Sequence, residues 1–352
     1  MNLETLNVIV SQFNIDISNI TFKTITQGYI NDTYLVESNT SSKFILQRIN
    51  SNVFKNITGL HKNMEIALTK LKAVDYAELQ LIPTNNYKTY HLHKDDYWRL
   101  LPFIPNSIAY NITSNSKIAF EAGRVVGKFH LLLKNEDLTN YAEPLPNLNY
   151  LPFRIIEFKN ALKNSTKERL QKAKLEIDSS IDHLQDFDVF YNASLPERIC
   201  HNDTKLNNLL FNKNNDGLCL IDLDTIMKGY FHYDFGDLVR TVVSEANEDE
   251  KNLSKINFNT QLFQALIEGI FSNGPLLSKQ EVTYLPLSCI LMPFMHGLRA
   301  LTDYLNGNIY YKVNYPEQNL DRCKSLFQFA SLARKKQLVI KEIINDKLKK
   351  AT

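Results

Sequence analysis

The sequence has few cysteines, and none of the four stands close to another. Their wide spacing excludes a disulfide scaffold and the close cysteine pairs of zinc sites, so we expect buried thiols in a reducing compartment. The chain also lacks an excess of charge, since 40 Lys and Arg nearly balance 38 Asp and Glu. A net charge of +2 gives no electrostatic reason to expect nucleic acid or an anionic membrane as a partner. A small neutral or anionic substrate fits better.

No apolar run in the sequence is long enough to span a bilayer. The most apolar stretch, 285–295, is interrupted by two prolines and a serine, and it falls short of the roughly 18 consecutive apolar residues that a transmembrane helix needs. The N-terminus has acidic and polar residues where a secretory signal would have a basic start and an apolar core. These absences predict a soluble cytoplasmic protein with no membrane partner.

The N-terminal part of the chain, 1–101, has the pattern of a small β-rich lobe. Short alternating apolar segments are separated by turn-forming residues, and only the stretch from Leu60 to Leu71 changes to helical spacing. The loop QGYIND separates the first two strands, and the second and third strands are predicted to form a hairpin. The predicted strands cover 22–26, 33–36, 43–50, a stretch near Leu81, and 97–101.

A larger, mainly helical lobe is predicted to follow. Pro102 and Pro105 bracket a connector, PFIP, at which the composition changes from strand-like to helix-like, so we place the lobe boundary there. The second lobe, 102–352, contains a helix with a buried face at 120–133 and is again mainly helical over 259–347. The pattern therefore predicts an α+β protein of two lobes, the first for nucleotide binding and the second for catalysis and substrate binding.

The segment ICHNDTKLNNLLF carries the clearest chemical signal. His201, Asp203 and Asn208 have the spacing of a kinase catalytic loop, in which the aspartate accepts the proton of the substrate hydroxyl and the asparagine binds Mg²⁺. Asp222 follows the apolar run LCLI, and a hairpin would return it beside Asn208 as a second metal ligand. Phosphoryl transfer needs such groups because negative charge accumulates on the phosphate oxygens. A turn-forming Asp203 and a helix-capping Asn208 would explain each residue singly but not their order.

Four segments extend this pattern into a family resemblance: HNDTKLNN, IDLDT, YDFGDLVRT and LTDYLNGNIYYK. With them the chain resembles the aminoglycoside phosphotransferase/choline kinase superfamily over nearly its whole length, and within it most resembles the N-acetylhexosamine 1-kinases. The resemblance implies a bilobal, protein-kinase-like fold. It also implies transfer of the γ-phosphate of ATP to the anomeric hydroxyl of N-acetylglucosamine or N-acetylgalactosamine, with Mg²⁺ as cofactor.

The resemblance also assigns roles to single residues. Asp203 would be the catalytic base, and Asn208 and Asp222 would be the Mg²⁺ ligands. Asp224 would be a supporting carboxylate or, on the competing interpretation, an ordinary polar residue at a strand end. Three residues of YDFGDLVRT would tie the catalytic loop to the large lobe by buried hydrogen bonds: Asp234, Asp237 and Arg240.

Further residues are expected around the acceptor and in the core. Arg299 and Asp303 would bind sugar hydroxyls, because a planar donor and a carboxylate complement such groups, although a surface ion pair is the competing interpretation. His130 is predicted to be a hydrogen-bonded core residue, and His201 to order the catalytic loop.

The nucleotide phosphates are expected to contact two parts of the small lobe: the loop between the first two strands, and the third strand. On the third strand the superfamily usually places a lysine or arginine, whereas here Gln47 occupies that position and Arg48 follows it. Alternation sends neighbouring side chains of a strand to opposite faces, so only one of the two can face the cleft. Glu65 either pairs with Arg48 or lies on a solvated helix face. The loop residues expected near the phosphates are Gly28, Asn31, Asp32 and Thr33.

Other functions stay open at this point. Relatives phosphorylate choline, homoserine, methylthioribose or aminoglycosides with the same catalytic loop, and fold alone does not separate them. A choline kinase would need an aromatic cage, and an aminoglycoside enzyme would need an acidic pocket, but LTDYLNGN shows no run of carboxylates. A non-catalytic nucleotide-binding relative is the remaining alternative. Oligomeric state is not predicted.

Overall fold

The N-terminal lobe is built on a five-stranded antiparallel sheet of order β1-β2-β3-β5-β4. The structure, a computed structural model, describes residues 2–15, 19–25, 30–39 and 42–351. The β2–β3 hairpin that alternation predicted is confirmed, with Leu35 opposite Ile45. The strands are β1 (Ile20–Ile25), β2 (Asp32–Ser38), β3 (Lys43–Ile49), β4 (His91–His93) and β5 (Asp96–Pro102).

Two helices pack on opposite faces of this sheet. Helix α1 (Leu3–Val10), which we did not predict, buries Leu6 against Trp98 and Leu100 of β5 in a small apolar core. Helix α2 (Ile57–Lys70) matches the predicted helix and contacts the opposite face. Since side chains alternate along β5, the residue between Trp98 and Leu100 points towards α2.

The strand predicted near Leu81 does not form. Ile82 makes only an isolated bridge to Leu100, and the following Pro83 has no N–H to extend the ladder. The sheet instead ends with β4, which is joined to β5 by a tight turn at Lys94 with a left-handed backbone. The sheet stops at Pro102, and the division of the chain into 1–101 and 102–352 stays a prediction.

The C-terminal lobe is mainly helical, which confirms the two-lobed α+β prediction. Helices α3 (Ser116–Leu133) and α9 (Thr260–Phe271) pack closely in this lobe, because a glycine on each helix faces the backbone of the other. A Cβ on Gly123 would lie 2.1 Å from the Leu266 carbonyl oxygen, and one on Gly269 would lie 1.8 Å from that of Phe120. The helices are α3 (Ser116–Leu133), α4 (Leu151–Asn164), α5 (Lys167–Lys172), α6 (Lys174–His183), α7 (Asp188–Tyr191), α8 (Phe231–Val242), α9 (Thr260–Phe271), α10 (Lys279–Leu305), α11 (Gln318–Lys335) and α12 (Gln337–Ala351).

Helix α10 runs through the middle of this lobe. It starts with a capping box between Ser278 and Glu281 and continues past Pro286 and Pro293, which lie inside it. Within the described ranges it is the one helix long and apolar enough to cross a membrane, but 83% of its apolar window is buried inside the protein. Burial of this kind is typical of a core helix.

Two short antiparallel pairs of strands frame the catalytic segment. β6 (Arg198–Cys200) pairs with β9 (Met227–Gly229), and β7 (Leu209–Phe211) pairs with β8 (Gly217–Leu220). The second pair is the hairpin predicted from the apolar run after the catalytic loop. It brings the end of β8 back to the start of β7, beside the loop that leaves β6.

Candidate active site

The structure brings together the catalytic loop and the predicted metal ligands. Both amide hydrogens of Asn208 are donated to Asp203, with Nδ2 lying 2.8 Å from the main-chain oxygen and 2.9 Å from Oδ2. The amide oxygen of Asn208 is therefore the atom left for a cation. The main-chain oxygen of Asn208 accepts the N–H of Ile221 at 2.8 Å, which places the next residue, Asp222, beside the loop.

Asp222, which follows β8, has an unusual backbone conformation. Its φ of +61° is left-handed, a conformation that costs energy for a non-glycine residue and clusters at functional sites. Its side chain is exposed, but crowding by surrounding protein atoms reduces its hydration. This crowding and the neighbouring Asp224 carboxylate raise its pKa to about 6, although Lys205 opposes that shift. In the described part of the chain no group donates a hydrogen bond to its carboxylate, so its oxygens fit a divalent cation.

Buried hydrogen bonds hold the catalytic loop from behind. Asp234 accepts the N–H groups of His201 at 2.8 Å and Asn202 at 2.6 Å, and its Oδ2 lies 2.9 Å from Nε2 of His130. Nδ1 of His201 accepts the N–H of Asp203, and its Nε2 donates to the Ile221 oxygen at 2.9 Å. These contacts agree with the core and loop-ordering roles predicted for Asp234 and the two histidines.

Lys205 is a site residue that sequence reasoning missed. Its Nζ lies 2.7 Å from Oδ2 of Asp203, the oxygen that Asn208 also contacts. Burial lowers the pKa of Lys205, but Asp203 and Asp222 raise it overall above its ordinary value, so the ammonium stays charged. Its position two residues after Asp203 was the available signal.

A cavity of about 300 Å³ lies beside Lys205 in the C-terminal lobe. Arg240 forms part of its wall and pairs with Glu248 at 2.9 Å, and Arg322 approaches the other oxygen of Glu248 at 3.4 Å. Burial would raise the pKa of Glu248, but these two arginines lower it to about 2. We expected Asp237 and Arg240 to tie the catalytic loop to the large lobe. Instead, Asp237 forms an ion pair with Arg240.

The two residues predicted to bind sugar hydroxyls, Arg299 and Asp303, lie in different surroundings. Both oxygens of Asp303 are used inside the protein, where they accept the N–H groups of 309–311 at 2.8–3.0 Å and the amide of Asn319 at 2.8 Å. Asp303 therefore holds a loop and is not directed at a ligand, nor does it pair with Arg299.

Arg299 remains a candidate for binding the acceptor. Its guanidinium lies over the ring of Tyr310 and makes no hydrogen bond to any residue that the structure describes. Burial lowers its pKa, but neighbouring tyrosines and Asp203 raise it overall. The guanidinium is thus within electrostatic reach of the predicted base.

On the small-lobe side of the cleft, Gln47 faces inward and Arg48 does not. The Arg48 guanidinium is bound by Asp32, with Nε 2.9 Å from Oδ2, and by Asp96 at 3.3 Å. It does not pair with Glu65, which is exposed and accepts a hydrogen bond from Thr89. Gly28 lies outside the described residues.

Three side chains of the small lobe form a row across β2, β3 and β5. Gln47 donates to Oγ1 of Thr33 at 3.3 Å and accepts from Nε of Arg99 at 2.9 Å. Arg99 forms a buried ion pair with Asp224 of the large lobe, and Nδ2 of Asn31 lies 2.7 Å from the other oxygen of Asp224. Asp224 is therefore a link between the lobes, and Arg99 is a second cation that sequence reasoning missed.

Comparison with known proteins places this site in a family. The model of the phosphotransferase enzyme family (APH) matches residues 21–261, which is more than half of the chain. Among solved structures the chain is similar to a microcompartment-associated aminopropanol kinase, at 14% identity and a TM-score of 0.60, over 96% of this chain and 98% of that one.

Two further solved structures show the same likeness, each at 14% identity. An amicoumacin kinase bound to AMP-PNP, Ca²⁺ and Ami has a TM-score of 0.59, over 96% of this chain and 94% of that one. An ethanolamine kinase of Plasmodium vivax has a TM-score of 0.60, over 92% and 89%. These similarities confirm the predicted protein-kinase-like fold. By its match to the family model, the chain belongs to the phosphotransferase enzyme family.

Proposed function

We propose that this protein is a kinase that transfers the γ-phosphate of ATP to the anomeric hydroxyl of an N-acetylhexosamine. The observation that carries the proposal is the position of Asp203. Its carboxylate contacts Asn208, and the same oxygen contacts Lys205, which lines the 300 Å³ cavity. Lys205 thus lies between Asp203 and the cavity, so we place the acceptor with its hydroxyl at Asp203 and the rest of the molecule extending past Lys205 towards the cavity.

Asp203 orients this hydroxyl and takes its proton. An anomeric hydroxyl is more acidic than an ordinary alcohol, so the proton can be transferred late in the reaction. The Lys205 ammonium, 2.7 Å from Oδ2, holds the Asp203 carboxylate in a fixed orientation. Asn208 and Asp222 would hold Mg²⁺, which neutralises charge on the transferred phosphate when bound.

The charges around the cavity favour a neutral acceptor. Its wall carries the basic residues Lys205, Arg240 and Arg322, against the acidic residues Glu248 and Asp249. An acceptor with an ammonium group would need a wall with more carboxylates than basic groups, and in this wall the basic residues outnumber the acidic ones. An N-acetylated amino sugar suits the cavity because acetylation removes the charge of the amine.

The alternative is an amine-bearing acceptor. The similar structures are kinases named for aminopropanol and ethanolamine, and each of these acceptors carries an amine. If this protein used an amine-bearing acceptor, it would belong to the same family but would act on a different substrate. A non-catalytic nucleotide-binding protein is disfavoured, since Asp203, Asn208 and Asp222 are assembled at one place.

The test is Mg²⁺-dependent ATP consumption with a panel of acceptors. N-acetylhexosamines, ethanolamine, aminopropanol, choline, homoserine and aminoglycosides would be compared, and the product position read by ³¹P NMR. We expect turnover with an N-acetylhexosamine and a phosphate on its anomeric carbon. Turnover with an amine acceptor and none with the sugars would overturn the acceptor assignment while keeping the kinase.

A matched pair of arginine variants tests the acceptor site. Arg299→Met should raise the KM for the sugar by about 10-fold or more, with little change in the KM for ATP. Arg169 also lies over a tyrosine ring, that of Tyr304, but on helix α5. Arg169→Met should leave both KM values near those of the wild-type protein.

A further inference from the structure

The small lobe does not present a cation from its third strand. Gln47 faces the cleft there, and its amide is neutral. Arg48 points to the opposite face of the sheet, where Asp32 and Asp96 bind its guanidinium. A protein that binds nucleotide phosphates at this cleft needs a positive charge from another strand.

Arg99 on β5 is the cation that reaches this position. The sheet register pairs Gln47 with Thr33 on one side and with Arg99 on the other, so the three side chains share a face. The hydrogen bonds from Arg99 to Gln47 and from Gln47 to Thr33 fix the guanidinium across three strands. The side chain is only 1% exposed, so its charge is held inside the protein.

The carboxylate partner of Arg99 comes from the opposite lobe. Helix α2 offers the sulfur of Met64, 3.1 Å from Nη1, and the neutral ring of His61. The carboxylate that Arg99 contacts is Asp224, two residues after the predicted Mg²⁺ ligand Asp222. A carboxylate at this point occupies the position that an anionic ligand would take against the guanidinium.

One edge of the guanidinium is still available. Nε donates to Gln47, and Nη1 donates to Asp224 and Met64. Nη2 makes no hydrogen bond to any residue in the described ranges. A buried guanidinium with an unused pair of N–H groups near the predicted Mg²⁺ ligand Asp222 is suited to a phosphate oxygen.

We propose that Arg99 is the residue that binds the nucleotide phosphates, and that Asp224 holds its guanidinium in place until the phosphates share that contact. The proposal rests on the proposed function, since it assumes that ATP binds in this cleft. It relocates the phosphate contact from the third strand to the cross-strand neighbour of Gln47. Gln47 then acts as a positioning residue for Arg99.

The test compares nucleotides that differ only in their phosphates. Dissociation constants of adenosine, AMP, ADP and AMP-PNP with Mg²⁺ would be measured by calorimetry for the wild-type protein and for Arg99→Gln. We expect Arg99→Gln to weaken AMP-PNP binding roughly 10- to 100-fold while adenosine binding stays within about twofold. This readout needs no acceptor and no turnover.

A control variant separates phosphate binding from the general loss of a buried ion pair. Arg198 pairs with Glu281, a buried carboxylate at the start of α10. Arg198→Gln should lower the melting temperature but keep the wild-type ratio of AMP-PNP to adenosine affinity. Equal weakening of adenosine and AMP-PNP by Arg99→Gln would show that Arg99 only holds the lobes together, and would overturn the proposal.

A second measurement uses the wild-type protein, in case Arg99→Gln does not fold. With ¹⁵N-labelled arginine, the Nε–H signal of Arg99 can be assigned through its absence in Arg99→Lys. The signal should shift on addition of AMP-PNP and Mg²⁺ but not of adenosine, and an unchanged signal would overturn the proposal. A wild-type protein that binds AMP-PNP no better than adenosine would refute the proposed function as well.

Discussion

The two walls of the cleft hold their functional groups in different ways. On the large-lobe wall, Asp203 and Asn208 lie in one loop, and backbone hydrogen bonds to the buried Asp234 fix that loop. On the small-lobe wall, Arg99 and Gln47 lie on two strands, and sheet register alone brings them together. Contacts within the large lobe hold Asp203 and Asn208, whereas Asp224 and the strand that leads to Asp222 also contact the small lobe. We therefore expect changes in the large lobe to affect turnover, and changes in the small lobe to affect nucleotide affinity.

The largest effect should come from Asp203→Asn. Loss of the base should lower kcat by about 10²- to 10⁴-fold, because proton transfer and hydroxyl orientation are both impaired. ATP affinity should change little, since the amide keeps the shape of the side chain. Steady-state kinetics and calorimetry with AMP-PNP measure the two quantities. A parallel loss of nucleotide affinity would mean that the walls are not independent.

The next effect concerns stability of the large-lobe wall. Asp234→Ala removes the acceptor of two loop N–H groups and of His130, so we expect the free energy of unfolding to fall by about 2–4 kcal/mol. Guanidinium chloride unfolding measures the change. Asp178→Ala, which removes an exposed helix pair with Lys174, should cost less than about 1 kcal/mol. Similar costs for the two variants would contradict the anchoring role of Asp234.

A smaller effect depends on pH and involves His61, next to Arg99. Burial and the charge of Arg99 lower the pKa of His61 from 6.5 to about 3. The unfolded chain therefore binds a proton that the folded protein does not, and stability should fall as the pH decreases from about 6.5 towards 3.

Replacing His61 should remove part of this dependence. Between pH 7 and pH 5, His61→Leu should lessen the loss of unfolding free energy by on the order of 2 kcal/mol, as measured by urea unfolding. His183 is partly exposed and paired with Asp186, and His183→Leu serves as the control. If the two variants show the same pH slope, the ring of His61 is not kept neutral by its surroundings.

The smallest effect should come from Arg48→Gln. Its ion pairs with Asp32 and Asp96 are more than one-third exposed, so their loss should cost no more than about 1 kcal/mol. AMP-PNP affinity should stay within about twofold of the wild-type value, in contrast to Arg99→Gln. A large loss of affinity would return the phosphate contact to the third strand.

What the sequence predicts depends on how far apart the cooperating residues lie. Asp203 and Asn208 are five residues apart, and an apolar hairpin brings Asp222 to them, so local spacing was enough. Arg99 lies 52 residues from Gln47, and their pairing requires the register of β3 and β5. No periodicity within either strand carries that information.

Other differences also have a physical cause. The predicted strand near Leu81 does not form. The alternation within one segment does not show whether a neighbouring strand has a free edge to pair with, and Pro83 interrupts the segment. Asp303 was assigned to the acceptor because a carboxylate near an arginine suits a sugar. Three of its actual partners are backbone N–H groups, which every residue except proline has and which no side-chain pattern predicts.

The contacts of Asp303 have a consequence for how this protein can change over evolution. The segment 309–311 is bound to Asp303 through its peptide groups, and these hydrogen bonds do not depend on which side chains the segment carries. We therefore expect substitutions of Tyr310, whose ring lies under Arg299, to leave these hydrogen bonds in place. When a segment is held through its backbone in this way, its side chains can vary while these hydrogen bonds remain. On the proposed function, acceptor preference could change there without any change to the residues proposed to transfer the phosphate.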